Sequence, residues 1–291
     1  MPLTYSRTFR VRYYECDGYG HLNNANYLRY MQETAFDASA AAGYDLKTYD
    51  EIGGFWLIRE TDIEYRQPLR YDDRVTITTW VEDFRRARSR RVYEFAREDG
   101  TLAARAVTDW VYLDAATRRP ARIPEEMKRA FFPDGLPAEP APRERFPEAP
   151  PPPPGVFTMR RHVEWRDIDP QWHVNNANYL AFCEEAGIRL AETVGWSFER
   201  MRAEGFGLIA RRTRIEYLTP AVLTDELDVA TWVSNMRAAS GIRHYRLTRV
   251  SDGELVARAL THVVAVDVET GRPVRVPPSF IADFAPNIVS G

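Results

Sequence analysis

Two short segments of this sequence each bring a carboxylate, an imidazole and a pair of asparagines together at one spacing. Residues 13–28 read YYECDGYGHLNNANYL, and residues 165–180 read WRDIDPQWHVNNANYL. In each, an Asp (Asp17, Asp169) stands four residues before a His (His21, His173), and an Asn pair follows (Asn23 and Asn24, Asn175 and Asn176). Such a carboxylate can take a proton from water or attack an electrophile itself, and residue type does not separate the two roles. The imidazole adds a general acid/base or an orienting donor. Asn23 and Asn175 suit a helix N-cap. The first-turn amides behind them would point the positive end of a helix dipole into the loop, a ready site for an oxyanion. Glu15 and Asp167 lie two residues before each Asp. In an extended segment they would face the same region as Asp17 and Asp169 and raise one pKa, or they would pair with a nearby Arg.

The elements that must position these residues occur twice. A shift of 152 residues superposes residues 11–81 on 163–233 with 22 identities in 71 positions. After one inserted residue, DGTLAARAVT (99–108) matches DGELVARALT (252–261). Two units are too few for a solenoid, so the chain reads as a duplicated domain, residues 1–132 and 158–291. Between them, residues 133–157 hold ten of the 20 prolines, an extended tether. Each copy opens with an alternating segment, followed by the acidic loop and a helix. In residues 24–42 Tyr27, Leu28, Met31, Ala35 and Phe36 recur at helical spacing, which predicts a buried face. Gly43 and Gly195 are helix stops. Four strands complete each copy, with Asp-Gly turns at 99–100 and 252–253 joining the last two.

Composition narrows the function classes. Of 291 residues, 44% are hydrophobic and 28% charged, with a net charge of −3, so the chain can fill two cores and has no global field for nucleic acid or an anionic membrane. Cys16 and Cys183 form no zinc motif or disulfide framework. A Cys–His nucleophile at Cys16 is disfavoured because the second copy has Ile168 there. No apolar leader or membrane-length run is visible, which predicts a cytoplasmic protein without cofactor or metal.

The loops resemble the D-x-x-G-H-x-N-N-x-x-Y signature of hotdog-fold thioesterases, the acyl-CoA and plant acyl-carrier-protein enzymes. The E-Y-x-x-P-x-x-x-x-D stretches at 64–73 and 216–225 resemble that family's second strand and turn. The resemblance implies an α+β tandem double hotdog, each half a long helix wrapped by a curved antiparallel sheet, the two halves forming an internal pseudo-dimer and leaving a further homodimer open. It implies hydrolysis of acyl-CoA or acyl-carrier-protein thioesters, with Asp17 or Asp169 as base or nucleophile. His21 or His173 would assist, and an oxyanion donor would lie near Asn24 or Asn176. Glu33 and Glu185 on the helix would support the site, as would Asn23, Asn175, Glu15, Asp167 and Gln171. The first copy keeps Gly20 before its His and the second has Trp172, so either loop could be the active one. Tyr27, Trp56, Phe55, Trp172, Tyr179 and Phe206 are apolar candidates for lining an acyl pocket. Arg88 and Arg90, in the basic run 85–91, are candidates for CoA phosphates. Two other readings stand beside this one: a hotdog enoyl or hydroxyacyl hydratase-dehydratase, and a non-catalytic acyl-CoA-binding module.

Overall fold

The computed structural model describes residues 1–289, and the chain folds as two units, Met1–Arg145 and Phe146–Gly291. In the first, β1 (Thr4–Arg10) leads into α1 (Asn24–Ala41) and the short α2 (Leu46–Ile52). There follow β2 (Gly54–Tyr65), β3 (Arg74–Phe84), β4 (Arg88–Arg97), β5 (Leu102–Asp114) and α3 (Glu125–Phe131). Its strands lie in the order β1-β3-β4-β5-β2, and each of these neighbours is antiparallel. Bulges at Ile58/Glu60, Val81/Asp83 and Phe95/Ala96 bend the strands. The second unit repeats the plan with β6 (Phe157–His162), α4 (Asn176–Thr193), α5 (Phe198–Ala203), β7 (Phe206–Tyr217), β8 (Glu226–Ser234), β9 (Ser240–Arg249), β10 (Leu255–Asp267) and α6 (Pro278–Phe284). Its order is β7-β10-β9-β8-β6, again antiparallel.

The long helices form where caps and periodicity place them. Asn23 Oδ1 and Asn175 Oδ1 each accept the N2 amide at 3.0 Å, satisfying one first-turn donor. Gly43 and Gly195, with φ of 83° and 82°, end the helices in the left-handed conformation that glycine adopts without strain. Along α1, Tyr27, Leu28, Met31, Ala35 and Ala38 are buried, and the helix packs on β1 and β3. Phe36 departs from the expected face and is exposed; it falls beside Ala35 and Asp37, just past the edge of the buried stripe. The short helices α2, α3, α5 and α6 carry too few periodic residues to have been expected.

Each unit holds its own end of the proline-rich stretch. Arg143 donates through Nη1 and Nη2 to Asp83 at 2.8 and 2.6 Å and through Nε to Asp109 at 2.9 Å. In the second unit, Phe146 receives the guanidinium of Arg258 at 4.8 Å and that of Arg214 at 5.4 Å. Among the described residues, no helix is long and apolar enough to cross a membrane.

Candidate active site

Each loop is held by the carboxylate two residues before its Asp. Tyr13–Glu15 and Trp165–Asp167 are single 3-10 turns. Glu15 Oε2 and Asp167 Oδ2 accept the amides of Arg12 and Glu164 at 2.8 and 2.9 Å. This corrects the expectation of an extended segment with paired carboxylates: the turn folds Glu15 and Asp167 inward, and both are buried. A buried carboxylate needs donors, and the two copies supply them from different elements. In the first, Tyr30 on α1 donates its hydroxyl to Glu15 at 2.5 Å while stacking on Phe9, with 4.3 Å between centroids. In the second, Phe182 replaces Tyr30 and Arg161 replaces Phe9. The Arg161 guanidinium lies over the Phe182 ring at 4.8 Å and donates to Asp167 at 2.8 Å. Ring and donor have exchanged elements.

The carbonyls of Glu15 and Asp167 tie the turn to the helix. They accept the side-chain amides of Asn26 and Asn178 at 2.8 and 3.0 Å, and the backbone amides of Asn23 and Asn175 at 2.9 Å. Asn26 and Asn178 were not among the expected site residues. Their signal was available: a buried, repeated Asn on an otherwise apolar helix face has to bond something.

Past the turn, each Asp closes a tight loop on itself. The Asp17 amide donates to the His21 carbonyl at 2.8 Å, and Asp17 Oδ1 accepts the amides of Tyr19 and His21 at 2.9 and 3.1 Å. Asp169 repeats this, donating to the His173 carbonyl at 3.0 Å and accepting the Gln171 amide at 2.9 Å. Asp169 Oδ2 lies 3.4 Å from Asn175 Nδ2. Both carboxylates are half-buried, and tying Oδ1 to backbone fixes the direction in which Oδ2 points. Burial, with help from Arg70, pulls His21 below the ordinary histidine value against the opposing pull of Asp17, so its imidazole is neutral at neutral pH. At the helix start the Asn cap takes the N2 amide through its side chain and the N3 amide through its carbonyl. The N1 residues, Asn24 and Asn176, follow the cap directly at the start of each long helix.

The second motif is a turn that supports this loop. The Leu22 and Val174 amides donate to the Leu69 and Ala221 carbonyls at 2.7 and 2.9 Å. Asp73 and Asp225 accept the amides of Arg70 and Val222 at 2.9 Å. Arg97 and Arg249 hold those carboxylates at 3.1 and 3.0 Å and reach the Pro68 and Pro220 carbonyls.

Several expected site residues are placed elsewhere. Tyr27 and Tyr179 are core residues that pin the turn to the helix. Tyr179 Oη accepts the Ala221 amide at 2.8 Å, and burial pushes its phenol up to about 12, while Tyr27 sits edge-on to Tyr65. Trp56 packs beside Phe84 and Tyr112 and donates to Tyr49 Oη at 3.1 Å; Phe206 is buried against Trp196 and Phe280. Phe55, half-buried, lies under the Arg118 guanidinium. Arg90 is committed to Asp109 and the Pro142 carbonyl, so it clamps the proline-rich stretch; Arg88 is exposed at the start of β4. Glu33 and Glu185 face outward and pair with Arg7 at 3.6 Å and Arg189 at 2.8 Å, not with the loop. Trp172 does stand at the loop, exposed and edge-on to Trp165. Its φ of 65° matches the 72° of Gly20, so the second copy places a bulky residue in a conformation natural to glycine. Cys16 is half-buried, and burial with Asp17 and Glu15 nearby raises its thiol, which removes it as a nucleophile.

Known proteins share stretches of this sequence and its fold. Over 106 residues, 35% of this chain and 77% of the relative, the sequence is 34% identical to the long-chain acyl-CoA thioesterase FadM of Escherichia coli K12. It is 30% identical to the E. coli acyl-CoA thioester hydrolase YbgC over 129 residues, 44% of this chain and 96% of that one. Among solved structures, a Lactobacillus plantarum chain described as an oleoyl thioesterase superposes with a TM-score of 0.77 at 20% identity, covering 90% of this chain and 96% of its own. The 12:0-ACP thioesterase of Umbellularia californica gives 0.70 at 20% identity, covering 90% and 97%. These likenesses give the fold, a tandem double hotdog. The family model for the Thioesterase-like superfamily matches residues 11–131 and again 163–284, one match per copy, and the chain therefore belongs to that superfamily.

Proposed function

We propose that this chain is a thioester hydrolase that releases free acid and thiol from acyl-CoA or acyl-carrier-protein substrates. The observation that supports this most is the loop that occurs twice: an Asp with one oxygen locked to backbone amides, beside the Asn-capped N-terminus of a long helix. In the water route, Oδ2 of Asp17 or Asp169 takes a proton as water attacks the thioester carbonyl carbon. The oxyanion forms against the Asn24 or Asn176 amide. On collapse the C–S bond breaks and the thiolate takes the proton back from the carboxyl. In the nucleophile route the same oxygen attacks the carbonyl carbon and the C–S bond breaks, giving a mixed anhydride and thiolate; water then cleaves the anhydride to free acid and the original carboxylate, and the released proton goes to the thiolate. Neutral His21 suits a hydrogen-bond donor to the carbonyl rather than a cation. The relatives named for acyl-CoA match at 34% and 30%, a plant acyl-carrier-protein hydrolase at 23%, which supports CoA as the first thiol to test.

The test is thiol release from a panel of acyl-CoAs, with Asp17→Asn, Asp169→Asn and the double variant beside the parent. A competent single loop predicts loss of roughly 10²–10⁴-fold in one single variant, the range of a missing acid/base group. Full turnover in a folded double variant refutes the assignment.

A further inference from the structure

The second unit contains an apolar cavity that the first unit fills. It measures ≈ 30 Å³ and is lined by Leu208, Val233, Met236, Gly241, Ala265 and Phe284, with Arg243 in its wall. At the duplicated positions the first unit has Trp56 for Leu208, Phe84 for Met236, Tyr112 for Ala265 and Ser89 for Gly241. Of the lining positions, Met127 to Phe280 and Gly135 to Ile288 run the other way. Larger side chains therefore occupy in one copy what is hollow in the other, and the Trp56, Phe84 and Tyr112 rings pack on one another there.

Arg243 is more than nine-tenths buried. Its guanidinium has the Gly187 carbonyl at 3.3 Å and the Phe284 ring at 5.9 Å, and no carboxylate among the described residues lies within ion-pair distance. Its counterpart Arg91 is buried in the same way over Phe131. That arginine, however, has the phenols of Tyr49 and Tyr93 close by, and the second copy keeps only Tyr245, with Met201 in place of Tyr49. A buried cation without a counter-ion is costly, and here it borders a small greasy space. The site is remote from the loop. The cavity lies against the cluster that includes Leu190, 14 residues along α4 from Asn176, about 21 Å at the helical rise.

We propose that this cavity is a binding site for a short apolar monocarboxylic acid, its carboxylate on Arg243 and its alkyl part among Leu208, Met236 and Ala265. Charge complementarity selects the carboxylate, and the volume, room for only a few water-sized groups, selects a short chain. The site is additional to the proposed reaction and does not depend on it.

Calorimetric titration of the full chain with butyrate, hexanoate and hexanol tests this without reference to turnover. One of the two acids should bind at least tenfold more tightly than hexanol. Arg243→Met should remove that preference, and Arg91→Met should not. Ala265→Tyr, which copies the first unit, should abolish binding. If that variant unfolds, Gly241→Ser, whose side chain meets Val233 and Met236 at 3.2 and 3.3 Å, should weaken binding while keeping the fold. Equal affinity for acid and alcohol, no binding of either acid, or undiminished binding in the folded filled variants overturns the proposal.

Discussion

Tyr30→Phe removes one hydroxyl from the first unit and leaves a buried carboxylate short of a donor. Tyr30 donates to Glu15 at 2.5 Å, and Glu15 is 8% exposed, so water cannot readily replace the lost bond. A hydrogen bond to a charged group contributes about 1.5–3 kcal/mol, and the ring itself stays stacked on Phe9. The expected cost is about 2 kcal/mol, roughly 4–8 °C in the apparent melting temperature for a domain of this size. The second unit supplies the rescue. There Phe182 and Arg161 stand at the positions of Tyr30 and Phe9, and Arg161 donates to Asp167 at 2.8 Å. Phe9→Arg with Tyr30→Phe transplants that arrangement and should recover at least half of the loss. Urea unfolding measures the magnitude, and hydrogen exchange of the α1 amides assigns it to the first unit. The reasoning fails if Tyr30→Phe costs less than about 0.5 kcal/mol. It also fails if the double variant is no more stable than the single one, because the second unit's geometry would then not be an equivalent solution.

Two further outcomes follow from buried charge. His244 is buried, its Nε2 2.8 Å from Ser234 Oγ, and stacks on Trp232; burial, with a smaller contribution from His262, holds it at about 4. Because the unfolded chain takes up this proton near pH 6.5 and the folded chain does not, the stability that neutral His244 allows is complete above pH 6.5. It is lost progressively as the pH falls to about 4, by at most about 3 kcal/mol. His244→Gln should flatten that part of the stability–pH curve, and an unchanged slope would contradict a buried neutral imidazole. Arg143→Met takes the bidentate partner from buried Asp83 while Asp109 keeps Arg90, and should cost about 3 kcal/mol, the low end for a broken buried pair. The same change should expose residues near Arg143 to proteolysis, and a protease pattern identical to the parent would show that Arg143 does not hold this stretch down.

Repetition makes much of this fold legible in the sequence. Asn23, Asn175, Gly43 and Gly195 punctuate the helices because capping and left-handed glycine are local effects, decided by a few neighbouring residues. The strands were legible for the same reason, down to the Asp-Gly turns with Gly100 and Gly253 at positive φ. What alternation could not reveal was the 3-10 turn at Tyr13–Glu15, since three residues have no period to read. That single turn moves Glu15 from the reaction face to the interior. Arg90 was misread because a basic run states charge but not partners, and its partner Asp109 lies on another strand. Glu33 and Glu185 were carried over from the resemblance, which does not show the arginines they meet: Arg7 comes from β1 and Arg189 from the next turn of α4.

The duplication also separates what the loop requires from what it tolerates. Apart from Glu15 and Asp167, which keep the carboxylate and change its length, the paired residues that hold its backbone are identical in both copies: Asp17 and Asp169, Asn23 and Asn175, Asn26 and Asn178, Tyr27 and Tyr179, Asp73 and Asp225. Each spends a side-chain atom on a main-chain group of the loop or of the turn beneath it. A main-chain partner cannot be substituted in compensation, so these side chains have nothing to trade against. Where a side chain bonds another side chain, both ends are free to change together, and they have: Tyr30 and Phe9 against Phe182 and Arg161. The apolar end is freer still, because dispersion and burial set no direction, and there Trp56, Phe84 and Tyr112 stand against Leu208, Met236 and Ala265. The two copies can therefore keep one loop geometry while differing in the space they enclose, and a measured difference between them in ligand preference should trace to the apolar end before it traces to the loop.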